Sequence, residues 1–165
     1  MTEVDAFLDA LSSRLAGSGF VVRREVELSP YQLDLIAAKS SFEISKFGKM
    51  TRFVLGTRAA TPGASMVQDF SAKATKYALD NRGSLLPRGL GGSMLAFPVV
   101  VSEEVDESLG KWVEETFAPE HWAAFEFPVL VSTGRRRVYY CKRTPIWGAA
   151  YYRGFRKFAE SYIRF

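Results

Sequence analysis

The chain has 165 residues, of which 47% are apolar and 24% are charged, and its formal net charge is +4. These values are typical of one globular domain, which we expect to span residues 1–165. A single cysteine, Cys141, excludes an intramolecular disulfide and fits a cytoplasmic location, and a single histidine, His121, excludes any site that needs two imidazoles.

Apolar spacing in the first residues predicts a helix that ends near Gly17 and Gly19. A β-rich stretch follows, and alternation bounded by turn residues predicts four strands in it: Phe20–Leu28, Tyr31–Ala38, Phe42–Phe47 and Thr51–Thr57. Gly48-Lys49 is expected to turn the chain between the last two strands. A second helix then begins near Met66 and ends at Gly83.

Two apolar segments with a matching pattern follow, LAFPVVVS at 95–102 and FEFPVLVS at 125–132. A helix is predicted between them, over about Asp106–Phe117, so the three elements predict a right-handed parallel βαβ unit. Proline has no N–H for a ladder hydrogen bond inside a central strand. We therefore expect Pro98 and Pro128 at the starts of their strands.

The segment from Gly134 to Phe165 has nine basic residues and one acid, so its charge is +8, whereas residues 1–133 sum to −4. A turn at 132–134 predicts a hairpin strand, Arg136–Lys142, and a final helix follows Pro145. That helix has aromatic residues on one face and basic residues on the other. The predicted nucleic-acid-binding residues are the cations of the hairpin tip and the helix: Arg135, Arg136, Arg137, Arg153, Arg156, Lys157 and Arg164.

A basic segment interleaved with aromatic residues indicates either an anionic partner or a packed aromatic seam. We expect one continuous basic surface that contacts nucleic acid. The aromatic stripe, which begins at Trp147, is typical of a helix face that packs in the core. Its width also fits a homodimer seam or a docking helix. A basic amphipathic helix also fits contact with a membrane surface. No apolar run reaches the ~18 residues that span a bilayer, and we expect no membrane partner.

The order helix, strands, helix, strand over residues 3–101 resembles the core of the restriction-endonuclease-like superfamily, the PD-(D/E)xK nucleases. The segment GFVVRREVELSPYQLDLIAAK at 19–39 is similar to the first two strands of Mrr-type and Holliday-junction-resolvase-type members, and Asp34 matches the aspartate of the second strand. The resemblance implies an α/β fold whose mixed sheet is flanked by helices. Residues 1–101 would form the nuclease-like core, and 102–165 a C-terminal extension with the hairpin and final helix.

Nucleases of this family hold Mg²⁺ with an aspartate and a glutamate, and a lysine two positions past the glutamate helps to activate the attacking water. In the best-aligned segment, Val54–Arg58, Gly56 matches the glutamate and Arg58 matches the lysine. Glycine has no ligand atom in a side chain, and arginine stays protonated and cannot act as a base. This register predicts a degenerate site with no metal and no cofactor.

A second register pairs Asp34 with Glu43 and Lys46, which would be the catalytic residues, with Mg²⁺ as cofactor, if the protein is an active nuclease. Period-two alternation puts Glu43 and Lys46 on opposite faces of a strand unless a bulge intervenes. A third interpretation makes Asp34 a buried acid satisfied by backbone or by an arginine. Our leading prediction is a non-catalytic, nuclease-like protein that contacts nucleic acid. The alternatives are a metal-dependent nuclease and a homodimeric interaction module.

Overall fold

The computed structural model describes residues 1–43, 48–85, 93–115, 125–143 and 149–165. The helices in these ranges are α1 (Glu3–Gly17), α2 (Ala64–Leu85), α3 (Glu107–Glu115) and α4 (Ala149–Tyr162). The strands are β1 (Val21–Arg23), β2 (Val26–Leu28), β3 (Tyr31–Leu33), β4 (Leu35–Glu43), β5 (Gly48–Arg58), β6 (Ser93–Ser102), β7 (Phe125–Glu126), β8 (Val129–Ser132) and β9 (Arg137–Tyr140).

One mixed sheet organises the described part of the chain. Its strand order is β1-β4-β5-β6-β8-β9, with β7 also paired to β6, while β2 and β3 form a separate hairpin. β1, β4 and β5 are antiparallel neighbours, and β5, β6 and β8 are parallel neighbours. The predicted α/β class, with a mixed sheet flanked by helices, is therefore confirmed. β8 and β9, which belong to the predicted extension, continue the same sheet.

Helices cover both faces of this sheet. α1 and α4 pack on one face with Leu35 and Ala37 of β4, whereas α2 and α3 pack on the other face with Ile36 and Ala38. This alternation follows from the period of two along a strand. Both faces are buried, so β4, β5 and β6 are apolar in nearly continuous runs rather than in alternation.

Hydrogen bonds at the helix ends fix how α1 and α4 meet. The Thr2 hydroxyl accepts from the Asp5 backbone N–H at 3.1 Å, and the Asp5 carboxylate accepts from the Thr2 backbone N–H at 3.0 Å, which forms a capping box at the start of α1. Arg14 of α1 donates to the carbonyl oxygens of Tyr162 and Arg164. Because the last carbonyls of a helix lack intrahelical donors, Arg14 caps α4 and ties it to α1.

Two predicted strands are each divided in the structure. The predicted strand Phe20–Leu28 separates into β1 and β2, because Glu25 between them has a φ of 56°, in the left-handed region that interrupts a strand. The predicted strand Tyr31–Ala38 separates at Asp34, whose backbone N–H donates to the Gly56 carbonyl at 2.9 Å. Local alternation of apolar residues reveals neither break.

The predicted turn at Gly48-Lys49 is wrong, because both residues belong to β5. Phe42 and Glu43 of the predicted third strand form the end of β4, and residues 44–47 lie outside the described residues. The Ser132–Gly134 turn and the antiparallel β8–β9 hairpin are confirmed, with Val131 opposite Val138.

The predicted parallel βαβ unit is confirmed. β6 pairs in parallel with β7 and β8, and α3 lies in the connection between them. The expected place of the prolines is wrong for Pro98, which lies in the middle of β6 opposite Leu55 of β5. Pro128 falls in the gap between β7 and β8, at the level of Pro98 in the register. The two prolines lie opposite each other where this ladder is interrupted. No ladder hydrogen bond at this level therefore requires the N–H that proline lacks.

Candidate functional site

Asp34 is buried, and both of its carboxylate oxygens bind one residue, Arg58. Oδ2 accepts from the Arg58 backbone N–H at 2.8 Å, and Oδ1 accepts from Arg58 Nε at 2.8 Å. The Asp34 side chain is 7% exposed, whereas the Arg58 side chain is 50% exposed. The interpretation of Asp34 as a buried acid satisfied by backbone and an arginine is therefore confirmed.

The pairing of β4 with β5 brings these residues together. Leu35 lies opposite Gly56, and the Asp34 backbone N–H binds the Gly56 carbonyl. Residues two apart on a strand share a face, so Gly56 and Arg58 both face α1. The β4–β5 register therefore places both Gly56 and Arg58 beside Asp34.

Arg58 also reaches the start of α1. Its Nη1 lies 2.9 Å from Oδ1 of Asp5, whose other oxygen binds the hydroxyl and backbone N–H of Thr2. Hydrogen bonds from the Thr2 hydroxyl, then from the Thr2 backbone and then from Arg58 lower the pKa of Asp5 to about 2. The guanidinium therefore bridges two carboxylates, and we name Asp34, Arg58 and Asp5 the Arg58 cluster.

Gly56 gives this cluster no metal ligand. A Cβ at position 56 would lie 3.4 Å from Leu35 Cβ and 3.5 Å from Leu8 Cδ2, so the position faces the aliphatic core. In the described ranges, no group of three or more histidine, cysteine, aspartate or glutamate side chains is arranged to hold a metal ion. Because Arg58 remains protonated, its side chain cannot act as the base that activates water.

The second register, with Asp34 and Glu43 at one metal, is wrong. Glu43 is the last residue of β4, whereas Asp34 immediately precedes the first residue of the same strand. At about 3.3 Å per residue, nine steps of extended chain separate the two by roughly 30 Å. Two ligands of one cation cannot be that far apart. Lys46 lies outside the described residues.

The arginines of the hairpin tip point to different sides of the sheet. The Arg136 guanidinium lies 5.0 Å from the centre of the Phe165 ring, beyond α4 on the α1 face. Arg137 Nη2 instead lies 3.4 Å from Glu114 Oε1 of α3, which covers the opposite face. Arg135 is exposed and lines a separate cleft with Glu103 and other residues.

The basic residues of α4 are also divided. Arg153, Lys157 and Arg164 are exposed, but Arg156 is half-buried and donates to the Arg143 carbonyl at 3.1 Å. Arg164 lines the same cleft as Arg136, near the start of α1. Lys157 lines another cleft, against the sheet. The expectation that all seven cations form one continuous surface is therefore wrong.

The cleft beside Lys157 contains two cations that the sequence did not single out, Lys39 of β4 and Arg52 of β5. It has a volume of about 280 Å³ and lies between α4 and the β4–β5 pair, and we name it the α4 cleft. Its lining residues are Phe20, Lys39, Ser41, Arg52, Gly154, Lys157, Phe158, Ser161 and Tyr162. None of these nine has a carboxylate, so the charge of the lining is positive.

Comparisons with known proteins do not assign this site. No protein-family model matches the chain, no curated protein matches it significantly, and no solved structure matches it significantly. Within the described ranges, no helix combines the length and apolar character that crossing a bilayer requires.

Proposed function

We propose that this protein is a non-catalytic, nuclease-like protein that binds nucleic acid through cations on and beside α4. The observation that carries the non-catalytic assignment is the ion pair between Asp34 and Arg58, with Gly56 beside them. The nucleic-acid assignment is supported by the distribution of cations around α4. Each part makes a separate prediction.

The order of the elements supports a nuclease-like core. α1 precedes three antiparallel neighbours, β1, β4 and β5, and α2 then leads to β6, which is parallel to β5. This is the αβββαβ order of restriction-endonuclease-like cores, with the β2–β3 hairpin inserted after the first strand. We align Asp34, at the start of the second strand of this core, with the family's metal-binding aspartate.

The charges of the Arg58 cluster favour a site without metal. A divalent cation at Asp34 would have to displace a guanidinium that binds one carboxylate oxygen at 2.8 Å. Mg²⁺ is bound in proteins by one or two carboxylates together with substrate oxygens. The position that supplies the second carboxylate in active nucleases is Gly56 in this chain. The protein's own cation therefore neutralises Asp34.

Four cations form the surface that we propose for nucleic acid: Lys39 and Arg52 from the sheet, and Arg153 and Lys157 from α4. The last two are four residues apart and hence neighbours on the helix surface. Glu160, the acid of this helix, accepts a hydrogen bond from the Tyr140 hydroxyl at 2.7 Å on the β9 side. A surface with clustered cations and few acids attracts the phosphate backbone regardless of sequence.

The structure gives less support to the homodimer alternative. Its basis was the aromatic stripe of the final helix, but Phe155, Ala159 and Ile163 are buried against this chain's own sheet and α1. Phe158 stacks on Phe97 of β6 at 4.3 Å between ring centres. Trp147 lies outside the described residues. The described part of the stripe therefore offers no exposed seam for a partner. A homodimer stays a prediction.

Cleavage assays test the non-catalytic part. Single-stranded, duplex and branched DNA and RNA are incubated with the protein in Mg²⁺ and in Mn²⁺, with Asp34→Ala as the matched control. We expect intact substrates with both proteins. Cleavage by the wild-type protein that Asp34→Ala abolishes would contradict the assignment, since only a site that uses Asp34 would lose activity in this way.

A further inference from the structure

The α4 cleft brings two like charges face to face. Lys39 and Arg52 are direct partners across the antiparallel β4–β5 pair, so their side chains leave the sheet on the same face. Lys157 of α4 adds a third cation to the same lining. The cleft therefore brings cations from two strands and one helix to a single place.

The Ser41 hydroxyl suits an oxygen of a phosphate. Ser41 Oγ accepts from Arg52 Nη1 at 2.9 Å, which directs the Ser41 O–H away from that guanidinium. Lys39 Nζ is held by the Ser18 carbonyl at 2.6 Å. These contacts position the polar groups before a ligand arrives, which lowers the entropy cost of binding.

The apolar part of the cleft is aromatic. Phe20, Phe158 and Tyr162 line it, with ring centres 4.7 to 6.0 Å apart. Phe158 and Tyr162 are half-buried residues. Aromatic rings beside cations bind the bases and phosphates of single-stranded nucleic acids, because every base offers a planar face for stacking.

We propose, on the basis of the function proposed above, that the α4 cleft binds one unpaired nucleotide of a single-stranded nucleic acid. Lys39, Arg52 and Lys157 contact its phosphate, and the aromatic residues contact its base. The cleft is concave, and its volume of about 280 Å³ is near the lower limit for small-molecule pockets. This shape and size suit one nucleotide rather than a base-paired backbone. Single strands should therefore bind more tightly than duplexes of the same length.

Gly154 allows a test that leaves the fold intact. It is exposed in α4 and lines the cleft, and a Cβ at this position meets no atom within 4 Å. Gly154→Glu places a negative charge at the cleft, Gly154→Gln places an uncharged group of the same size there, and Gly154→Lys adds a cation. All three replace glycine with better helix formers.

The measurement is fluorescence anisotropy with a labelled single-stranded oligonucleotide, a duplex of equal length and a labelled mononucleotide. We expect Gly154→Glu to weaken single-strand binding about tenfold relative to Gly154→Gln, and Gly154→Lys to strengthen it, because charged hydrogen bonds change binding by amounts of this order. Lys111→Gln, on α3 at the opposite face, lowers the net charge by the same amount and should change affinity less than threefold.

The outcomes separate this inference from the function on which it rests. Equal binding of single strand and duplex, or equal affinity of Gly154→Glu and Gly154→Gln, would overturn the unpaired-nucleotide site while nucleic-acid binding stands. If the mononucleotide binds as tightly as the oligonucleotide, the result would contradict the proposal that the ligand is a nucleotide within a strand. No binding of any nucleic acid at low salt would overturn the proposed function as well.

Discussion

Both carboxylate oxygens of Asp34 accept a hydrogen bond from the same residue, Arg58, 24 positions further along the chain. One bond comes from the backbone and one from the side chain, so the contact ties the start of β4 to the end of β5. The guanidinium then reaches Asp5 at the first turn of α1. Arg58 thus joins a helix to the sheet.

Arg58→Ala is expected to lower the free energy of unfolding by about 1.5–3 kcal/mol, because it leaves a buried carboxylate without its charged partner. Urea denaturation measures this loss. Arg24→Ala is the matched control, since Arg24 pairs with Asp9 at 2.9 Å but both side chains are exposed. An exposed pair of this kind contributes about 0–1 kcal/mol. Equal losses in the two variants would contradict the structural role of Arg58.

The capping box predicts a dependence of stability on pH. The pKa of Asp5 is lowered to about 2 in the folded protein, from an ordinary value of 3.8. A carboxyl with a lowered pKa stabilises the fold fully above its unfolded pKa, and this contribution is lost as the pH falls from about 4 towards 2. Thr2→Val removes the hydroxyl that contributes most to the shift.

We therefore expect the difference in unfolding free energy between wild type and Thr2→Val to be largest above pH 4 and to shrink towards pH 2. Urea denaturation at a series of pH values measures it. Some difference remains at pH 2, because the Thr2 hydroxyl also accepts from the Asp5 backbone N–H. A difference that is constant from pH 2 to pH 7 would contradict the coupling between Thr2 and the charge of Asp5.

Gly110 of α3 lies directly on the Tyr139 ring of β9. A Cβ at position 110 would lie 2.3 Å from Tyr139 Cε1, and Tyr139 is 1% exposed, so its ring has no open space to move into. Gly110→Ala is expected to lower the free energy of unfolding by about 1–3 kcal/mol through overpacking.

Gly154→Ala is the matched control for that substitution, because a Cβ at position 154 of α4 meets no atom within 4 Å. Alanine in an open helical position is expected to raise stability by up to about 1 kcal/mol. Thermal unfolding of the two variants should therefore shift in opposite directions. A stabilising effect at both positions would show that α3 and β9 do not pack as closely as described.

Several features of the fold follow from short-range patterns in the sequence. The βαβ unit is predicted because two apolar segments lie at the distance of one crossover helix. The β8–β9 hairpin is predicted because turn residues separate two strand patterns. The convergence of Asp34, Gly56 and Arg58 is also predictable, since an antiparallel pairing of neighbouring strands sets its register. In each case the partners are adjacent elements.

Other features depend on contacts that the sequence pattern does not contain. Lys39 and Arg52 become neighbours through the β4–β5 register, and only the packing of α4 brings Lys157 to them. Arg136, which has a φ of 51°, and Arg137 are consecutive in sequence but contact opposite faces of the sheet. Counting charges along the sequence therefore groups Arg136 with Arg137, which the fold separates. It does not reveal the group of Lys39, Arg52 and Lys157, which the fold brings together.

The salt dependence of nucleic-acid binding, read by fluorescence anisotropy of a labelled single-stranded oligonucleotide, tests the proposed function most directly. Two phosphate contacts, one shared by Lys39, Arg52 and Lys157 and one made by Arg153, predict a slope of log affinity against log salt of about −1.4 for a single strand. The triple variant Lys39→Gln, Arg52→Gln, Lys157→Gln should halve the slope to about −0.7, whereas alanine at Arg135, Arg136 and Arg137, which also removes three cations, should leave most of it. Absence of binding at low salt, or equal loss of slope in the two triple variants, would contradict binding at α4.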